Sequence, residues 1–175
     1  LTKKGYKVVL LEARKIGWGA SGRNGGQLGG GLRKEQRTLE RKLGLNHAVE
    51  LWKMGLEAVE EVKQNISKYK IDCDLKNGVL TAGYYKDDSK YFEDEIEYMQ
   101  KKYGYNKYKF LNQAEINQEI KSKLYYSGML NEGSYHLHPL KYLKGLTKEL
   151  IKLKVEIYEN SPVKKIIETT NGIKI

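Results

Sequence analysis

This chain of 175 residues contains a single cysteine and no long apolar run. The single cysteine, Cys73, excludes an internal disulfide framework, and its IDCDL setting predicts a buried structural thiol. No apolar run approaches the roughly 18 residues that a membrane-spanning helix needs. The first residues also lack a secretory hydrophobic region. We therefore predict a cytoplasmic protein without a membrane segment.

A metal-binding cluster is also missing from the sequence. His136 and His138 stand at alternate positions of an extended stretch, which would place both on one side. No third ligand of a suitable type lies nearby, so we predict that the chain holds no metal.

Acidic residues are fewer than basic ones, and the difference is largest in the first 41 residues. The chain carries a net charge of +10, and residues 1–41 supply +7 of it, from ten lysines and arginines against three acidic residues. Residues 42–175 add only +3, from 22 against 19. No nucleic-acid-reading module accompanies the charge, so a phosphate-bearing small ligand near the N-terminus is the preferred explanation and nucleic acid is not a predicted partner.

One half of a dinucleotide site is present near the N-terminus. Val8 to Leu11 is an all-apolar run, typical of a parallel strand covered on both faces, and Glu12 stands where that strand would end. A carboxylate there can accept both hydroxyls of a ribose, usually about 20 residues after a Gly-x-Gly-x-x-Gly turn. That turn is lacking, and the chain begins at Leu1 in what resembles the end of a helix. We therefore expect the chain to be a fragment.

Glycine is abundant immediately after that strand, with eight glycines in the fifteen residues 17–31. Such a density lets backbone amides approach a bulky ligand closely. Trp18, Ser21, Arg23, Asn24 and Gln27 are interleaved and supply a flat ring, a cation and several hydrogen-bonding groups. The alternative is a mobile surface loop whose polarity serves no ligand.

The segment EARKIGWGASGRNGGQ, with HLHPLKY at His136 to Tyr142, resembles the D-amino-acid-oxidase-type (DAO) FAD-dependent oxidoreductases. Within that family it is most similar to enzymes acting on gamma-glutamylputrescine. The resemblance implies an α/β fold, namely a glutathione-reductase-like FAD-binding Rossmann domain, here incomplete, with an inserted α+β substrate domain. It implies FAD-binding segments at 1–72 and 135–175, with 73–134 belonging to the substrate domain.

The resemblance also implies roles for particular residues, although it names no catalytic side chain. Glu12 would hold the adenosine ribose, and Ala20 with Ser21 would approach the pyrophosphate. Val163 would meet the adenine through its backbone. The residues bordering the isoalloxazine would be Arg23, Asn24, Gly25, Gly26 and Gln27.

The implied activity is oxidation of an amine C–N bond by hydride transfer to flavin, with oxygen as acceptor and peroxide as product. The partners would be a small amine resembling gamma-glutamylputrescine and oxygen. Two alternatives remain open: a related dehydrogenase that passes electrons to a quinone or carrier protein, and a non-catalytic basic interaction module supported only by the charge.

Periodicity predicts the remaining elements. A short helix at Lys34 to Leu43 should stop at Gly44, and Asn46 should cap a longer helix whose apolar stripe includes Trp52 and Val59. Further along, we predict the following elements: a strand from Gly78, a helix carrying Phe92 and Met99, a strand at 107–111, a helix opened by an Asn112–Glu115 capping box, extended chain at 124–130, a return crossing at 133–139, a helix at 140–153 with His138 as cap and Pro139 at its first position, and terminal strands joined partly by an Asn171–Gly172 turn.

Tyrosine is the dominant aromatic residue of the middle of the chain. Tyr84, Tyr85, Tyr125, Tyr126 and Tyr135 would either form an aromatic wall that admits an amine or lie on the surface of a sheet.

Overall fold

The computed structural model describes residues 1–170 and 172–175, which fall into two compact units. Unit 1 comprises residues 1–26, 65–73 and 138–175, and unit 2 comprises 27–64 and 74–137. The assignment of segments to an FAD-binding domain and a substrate domain stays a prediction. The elements are, in chain order, β1 (Val9–Leu11), β2 (Gln27–Leu28), α1 (Gln36–Leu43), α2 (Leu45–Tyr69), β3 (Lys76–Gly83), α3 (Asp88–Tyr103), β4 (Tyr108–Leu111), α4 (Gln113–Ile120), β5 (Ser127–His136), α5 (Pro139–Lys152), β6 (Glu156–Tyr158), β7 (Ile167–Thr169) and β8 (Gly172–Lys174).

Unit 1 is built on a parallel pair of strands. β1 pairs with β6, so that Leu10 lies opposite Ile157, and α5 precedes β6 in the chain. The predicted coverage of β1 on both faces is wrong, since Val9 and Leu11 are 50% and 40% exposed. The physical reason is that side chains alternate along a strand, so that Leu10 faces α5 whereas Val9 and Leu11 share the opposite, exposed face.

The end of unit 1 is an antiparallel pair, β7 with β8. The sequence predicts a turn at Asn171 and Gly172 between these strands, and Asn171 lies outside the described residues. Elsewhere in unit 1 the thiol of Cys73 is buried, as predicted, and the Cys73 carbonyl accepts a hydrogen bond from the His138 amide at 2.7 Å.

Unit 2 is organised around β5, which is paired antiparallel with β2, β3 and β4. Its core contains Trp52 of α2, Met99 of α3 and Tyr105, each less than 9% exposed. Both predicted apolar helix stripes therefore pack inward.

Two local predictions for helix ends are confirmed. The Asn112 side chain accepts hydrogen bonds from the amides of Ala114 and Glu115, while the Glu115 carboxylate accepts from the Asn112 amide, which completes the capping box of α4. In α5 the His138 imidazole accepts from the Lys141 amide, and Pro139 occupies the first turn.

Two other local predictions are wrong. Asn46 does not cap α2, because the helix begins at Leu45 and the Gly44 carbonyl already accepts from the Ala48 amide at 3.1 Å. The predicted return crossing at 133–139 begins too early, because β5 continues to His136, where it pairs with Gln27 of β2.

Candidate functional site

Glu12 lies directly after β1, and its backbone is fixed on both sides. Its amide donates to the Tyr158 carbonyl at 2.9 Å, and its carbonyl accepts from the Ser161 amide at 2.9 Å. Its Oε1 accepts from the Arg14 amide at 2.7 Å, while Oε2 has no partner in the part of the chain that the structure describes. The carboxylate is therefore oriented and retains an oxygen for a hydroxyl donor.

The glycine loop after Glu12 is packed too closely to accept larger residues at two positions. A Cβ atom on Gly17, where φ is +84°, would lie 2.4 Å from Cδ1 of Leu140 in α5. A Cβ on Gly22 would lie 2.2 Å from the Gly17 carbonyl oxygen. These two glycines let the loop fold on itself against α5.

Asn24 braces the same loop with its carboxamide. Its Nδ2 donates to the carbonyls of Ala20 and Ser21, each at 3.1 Å, and its Oδ1 accepts from the Gly26 amide at 2.8 Å. Ala20 and Ser21 belong to a short 3₁₀ turn, Ala20–Gly22. The Asn24 side chain therefore shapes the loop, and the loop in turn sets the position of Ser21.

A cavity of about 280 Å³ lies between the glycine loop and α5, within unit 1. Both Glu12 and Ser21 line it, so the structure brings together a residue predicted to hold the ribose and one predicted to approach the pyrophosphate. Its lining residues are Leu10, Glu12, Ile16, Gly17, Gly19, Ser21, Leu143, Leu146, Thr147 and Leu150. The free carboxylate oxygen suits a ribose hydroxyl, and the glycines allow backbone to approach a phosphate closely, so these residues fit the adenosine half of a dinucleotide.

Two guanidinium groups contact the ring of Trp18, which belongs to this loop. The guanidinium carbons of Arg14 and Arg23 lie 5.1 and 4.4 Å from the Trp18 ring centroid. Neither arginine has a carboxylate partner among the described residues. Both therefore add positive charge next to the place where an anionic ligand would lie.

Glu159 holds the start of the loop to the residues after β6. Its Oε1 accepts from the Ile16 amide at 2.8 Å, and its Oε2 pairs with Lys15 Nζ at 2.8 Å. The bond from Lys15 and then that from the Ile16 amide hold the pKa of the Glu159 carboxyl below its usual value.

Neither Val163 nor Gln27 is among the residues that line that cavity. Val163 is 49% exposed, beside Leu11 and Pro162, and the Ser161–Glu12 bond brings its segment to the end of β1. Gln27 belongs to unit 2, where its residue partner is His136. The ligand contacts predicted for all nine residues stay predictions.

The sequence prediction missed the residues that α5 contributes to the cavity. Leu143, Thr147 and Leu150 line the cavity with Glu12 although they are more than 130 positions away in sequence. The spacing of Leu143, Leu146 and Leu150 in the sequence is that of an apolar helix face, and this spacing indicates that the face is packed against something. Periodicity does not identify the partner of such a face.

The described residues contain no group of three or more histidine, cysteine or acidic side chains placed to hold a metal ion. His136 Nδ1 lies 3.3 Å from the Gly78 carbonyl, and the His138 ring caps α5.

No helix in the described ranges has the length and hydropathy to cross a bilayer.

The parallel strand, the acidic residue at its end and the close-packed glycine loop define part of a dinucleotide-binding protein. The model of the DAO family, FAD dependent oxidoreductase, matches residues 1–175, and the chain belongs to this family. Membership confirms the predicted family and its cofactor, FAD.

Two curated relatives match nearly all of the chain. It is 34% identical over 178 residues to "Probable oxidoreductase OrdL" of Haemophilus influenzae, covering 100% of this chain and 41% of the relative. It is 32% identical over 173 residues to the gamma-glutamylputrescine oxidoreductase of Escherichia coli, covering 99% and 40%. The chain thus spans about 40% of the length of these relatives.

Solved structures support the fold. Glycine oxidase from Bacillus cereus matches with a TM-score of 0.70 at 17% identity, over 99% of this chain and 47% of that one. L-proline dehydrogenase from P. horikoshii matches with a TM-score of 0.66 at 21% identity, over 99% and 42%. The predicted α/β FAD-binding fold is confirmed.

Proposed function

We propose that the protein carrying this chain oxidises the C–N bond of a small amine resembling gamma-glutamylputrescine, with oxygen as the electron acceptor. The proposal is supported by family membership and by 32% identity to a gamma-glutamylputrescine oxidoreductase. The single observation that carries the cofactor site is the oriented carboxylate of Glu12 beside the glycine loop.

The proposed roles follow the chain from the strand into the loop. Glu12 Oε2 accepts a ribose hydroxyl, and the backbone of Ala20 and Ser21 contacts the pyrophosphate. Arg23 to Gln27 border the isoalloxazine, with Asn24 contributing backbone because its side chain is occupied within the loop. Val163 contacts the adenine through its backbone.

In the proposed reaction, FAD would, when bound, supply a two-electron acceptor for the hydride, with oxygen as the final acceptor and hydrogen peroxide as the product. The amine loses the hydride and a proton and becomes an imine, which water hydrolyses to a carbonyl compound and ammonia or an amine. The role of the present residues is to bind and orient the cofactor.

The test is made on protein expressed from the complete reading frame that contains this chain. We expect a yellow protein whose flavin is bleached by gamma-glutamylputrescine without oxygen and which releases peroxide when oxygen is admitted. Bleaching without oxygen consumption would replace the oxidase by the dehydrogenase alternative. A colourless protein that takes up no FAD would refute the proposal.

Glu12→Gln tests the proposed ribose contact separately. The amide removes the negative charge and one acceptor, so we expect FAD to bind about tenfold more weakly, equivalent to roughly 1.4 kcal/mol. Glu57→Gln is the matched control, because Glu57 is exposed on α2. Equal FAD affinity in both variants would contradict the role of Glu12.

A further inference from the structure

Five aromatic side chains of unit 2 form a continuous series, which we call the aromatic chain: Tyr108, Tyr105, Trp52, Tyr103 and Tyr98. Successive ring centroids are 5.0, 5.0, 6.2 and 5.8 Å apart. Trp52 and Tyr105 are buried, whereas the other three rings are partly exposed. Aromatic rings at such distances exchange an electron readily, and indole and phenol are the most easily oxidised rings in proteins.

The tyrosines on the two sides of Trp52 differ in their proton acceptors. Tyr98 donates its phenolic proton in a short hydrogen bond to Oε2 of Glu40, and Tyr103 donates to the same oxygen at 3.3 Å. Tyr105 instead donates to Oδ1 of Asn131 at 2.6 Å. A carboxylate can take up a proton, whereas a carboxamide oxygen is too weak a base to do so.

Trp52, in the middle, differs from both sides in lacking a proton acceptor within the described part of the chain. Its Nε1 is buried and lacks a hydrogen-bond partner among the described residues. An oxidised indole there would keep its proton and its positive charge in an apolar core, which is unfavourable. The hole, meaning the site of the missing electron, is therefore driven toward a neighbour that can lose a proton.

The surroundings of Tyr98 favour a neutral radical. The Arg37 guanidinium carbon lies 3.9 Å from its ring centroid and repels a ring that remains positively charged. Arg37 is itself held by Asp94 and Glu95, at 2.8 and 3.0 Å, so its position is fixed. Burial, then the Glu40 carboxylate, raises the pKa of Tyr98, so the phenol is intact before oxidation.

We propose that the aromatic chain conducts oxidising equivalents out of the core of unit 2 and ends at Tyr98, with Glu40 as the proton acceptor. Core packing alone explains the buried rings. It gives no reason for the Glu40 carboxylate to accept hydrogen bonds from both Tyr98 and Tyr103. Lys102 Nζ lies 3.7 Å from the other oxygen of this carboxylate and fixes its position. The function would be protection of the core, and it is independent of the flavin site.

Each step balances in electrons and protons. A one-electron oxidant of the hydroxyl- or carbonate-radical class removes an electron from Trp52, and Tyr103 then supplies an electron to Trp52. Tyr98 supplies an electron to Tyr103 and transfers its phenolic proton to Glu40, which leaves a neutral tyrosyl radical and a protonated carboxyl group. A thiol or ascorbate returns one electron to Tyr98, and Glu40 returns the proton.

The test is near-ultraviolet photoionisation of indole in the complete protein, with scavenging of the ejected electrons. Transient absorption then follows the decay of the tryptophanyl radical and the growth of the tyrosyl radical. We expect Trp52→Phe to abolish most of that growth, and Trp18→Phe to leave it unchanged, because the Trp18 ring contacts arginines rather than tyrosines. Growth unaffected by Trp52→Phe would overturn the proposal.

Two variants at the end of the aromatic chain separate conduction from packing. Glu40→Gln keeps a hydrogen-bonding side chain but is a much weaker base, so we expect loss of the long-lived tyrosyl signal in electron paramagnetic resonance spectra. Tyr98→Phe should lose the same signal, whereas Tyr85→Phe, at an exposed ring outside the aromatic chain, should retain it. If Trp52→Phe fails to fold, Glu40→Gln decides, and a wild-type signal there would overturn the proposal.

Discussion

At the scale of single residues, Asn24 shows how one carboxamide shapes the glycine loop. It makes three hydrogen bonds within the loop, to the carbonyls of Ala20 and Ser21 and from the Gly26 amide. We predict that Asn24→Ala weakens FAD binding about tenfold, since each lost bond contributes about 0.5–1.5 kcal/mol and part of that energy orders the loop for its ligand. Fluorescence titration of the complete apoprotein with FAD measures the effect.

The control for Asn24→Ala is Asn106→Ala, at an exposed position of unit 2. That variant should bind FAD as the wild type does. If Asn24→Ala also binds normally, the loop keeps its conformation without the brace, and the proposed connection between loop order and cofactor binding is wrong.

The Glu159 carboxyl gives the loop a defined response to pH. Lys15, and after it the Ile16 amide, hold the pKa of Glu159 below its usual value. A lowered carboxyl pKa means that the contact stabilises the fold above the usual pKa and is lost as the pH falls through the lowered value. We predict that the Ile16 amide resonance titrates with that lowered pKa.

Two substitutions check the assignment of this titration. Lys15→Met removes the largest cause of the shift, so the midpoint of the Ile16 resonance should move up toward the usual carboxyl pKa. Glu159→Gln should abolish the titration. A midpoint unaltered by Lys15→Met would show that another group is responsible.

At the scale of elements, α2 is held against the segment before α1 by two glycines. A Cβ on Gly55 would lie 1.8 Å from the Gly30 carbonyl oxygen, and one on Gly30 would lie 2.6 Å from Cδ2 of Leu56. In an open helix, glycine to alanine stabilises by about 1 kcal/mol. Here we predict that Gly55→Ala destabilises unit 2 by about 1–3 kcal/mol, because backbone must move.

Gly31→Ala is the matched control for Gly55→Ala. Its Cβ would lie 3.8 Å from Trp52, which is an ordinary contact. Urea unfolding measured by the fluorescence of buried Trp52 should distinguish the variants. Equal midpoints for both would contradict the close approach of α2 to Gly30.

Elements defined by neighbouring residues could be predicted from the sequence. The capping box needs only Asn112 and Glu115, and the start of α5 needs only His138 and Pro139. Asn46 shows the limit, because a suitable residue type was present but the Gly44 carbonyl already bonded to Ala48. Choosing between two caps requires the backbone path.

Contacts between distant elements could not be predicted in the same way. The sequence indicated Glu12 and the loop up to Gly26 because they are consecutive and carry a recognisable pattern. It did not indicate that Thr147 of α5 lines the same cavity or that Glu159 binds the Ile16 amide. Topology sets these pairings, since β1 must first pair with β6.

At the scale of the whole molecule, the excess positive charge is partly neutralised by its own acidic partners. Arg37 belongs to the strongly basic first 41 residues, yet it pairs with Asp94 and Glu95. Arg14 and Arg23 keep no such partner among the described residues and lie beside the glycine loop. The distribution favours a phosphate-bearing ligand at the loop over a general basic surface.

A ligand that binds only the folded state should stabilise the complete protein according to its free concentration. At 100 times its dissociation constant the gain is about 2.7 kcal/mol, which would raise the melting temperature by about 5 °C. We predict this shift for the apoprotein with FAD, and Glu12→Gln should need about tenfold more FAD for the same shift. Flavin mononucleotide, which lacks the adenosine ribose, should stabilise wild type and Glu12→Gln equally. A larger shift of the wild type with flavin mononucleotide would show that Glu12 acts on the flavin half of the ligand instead.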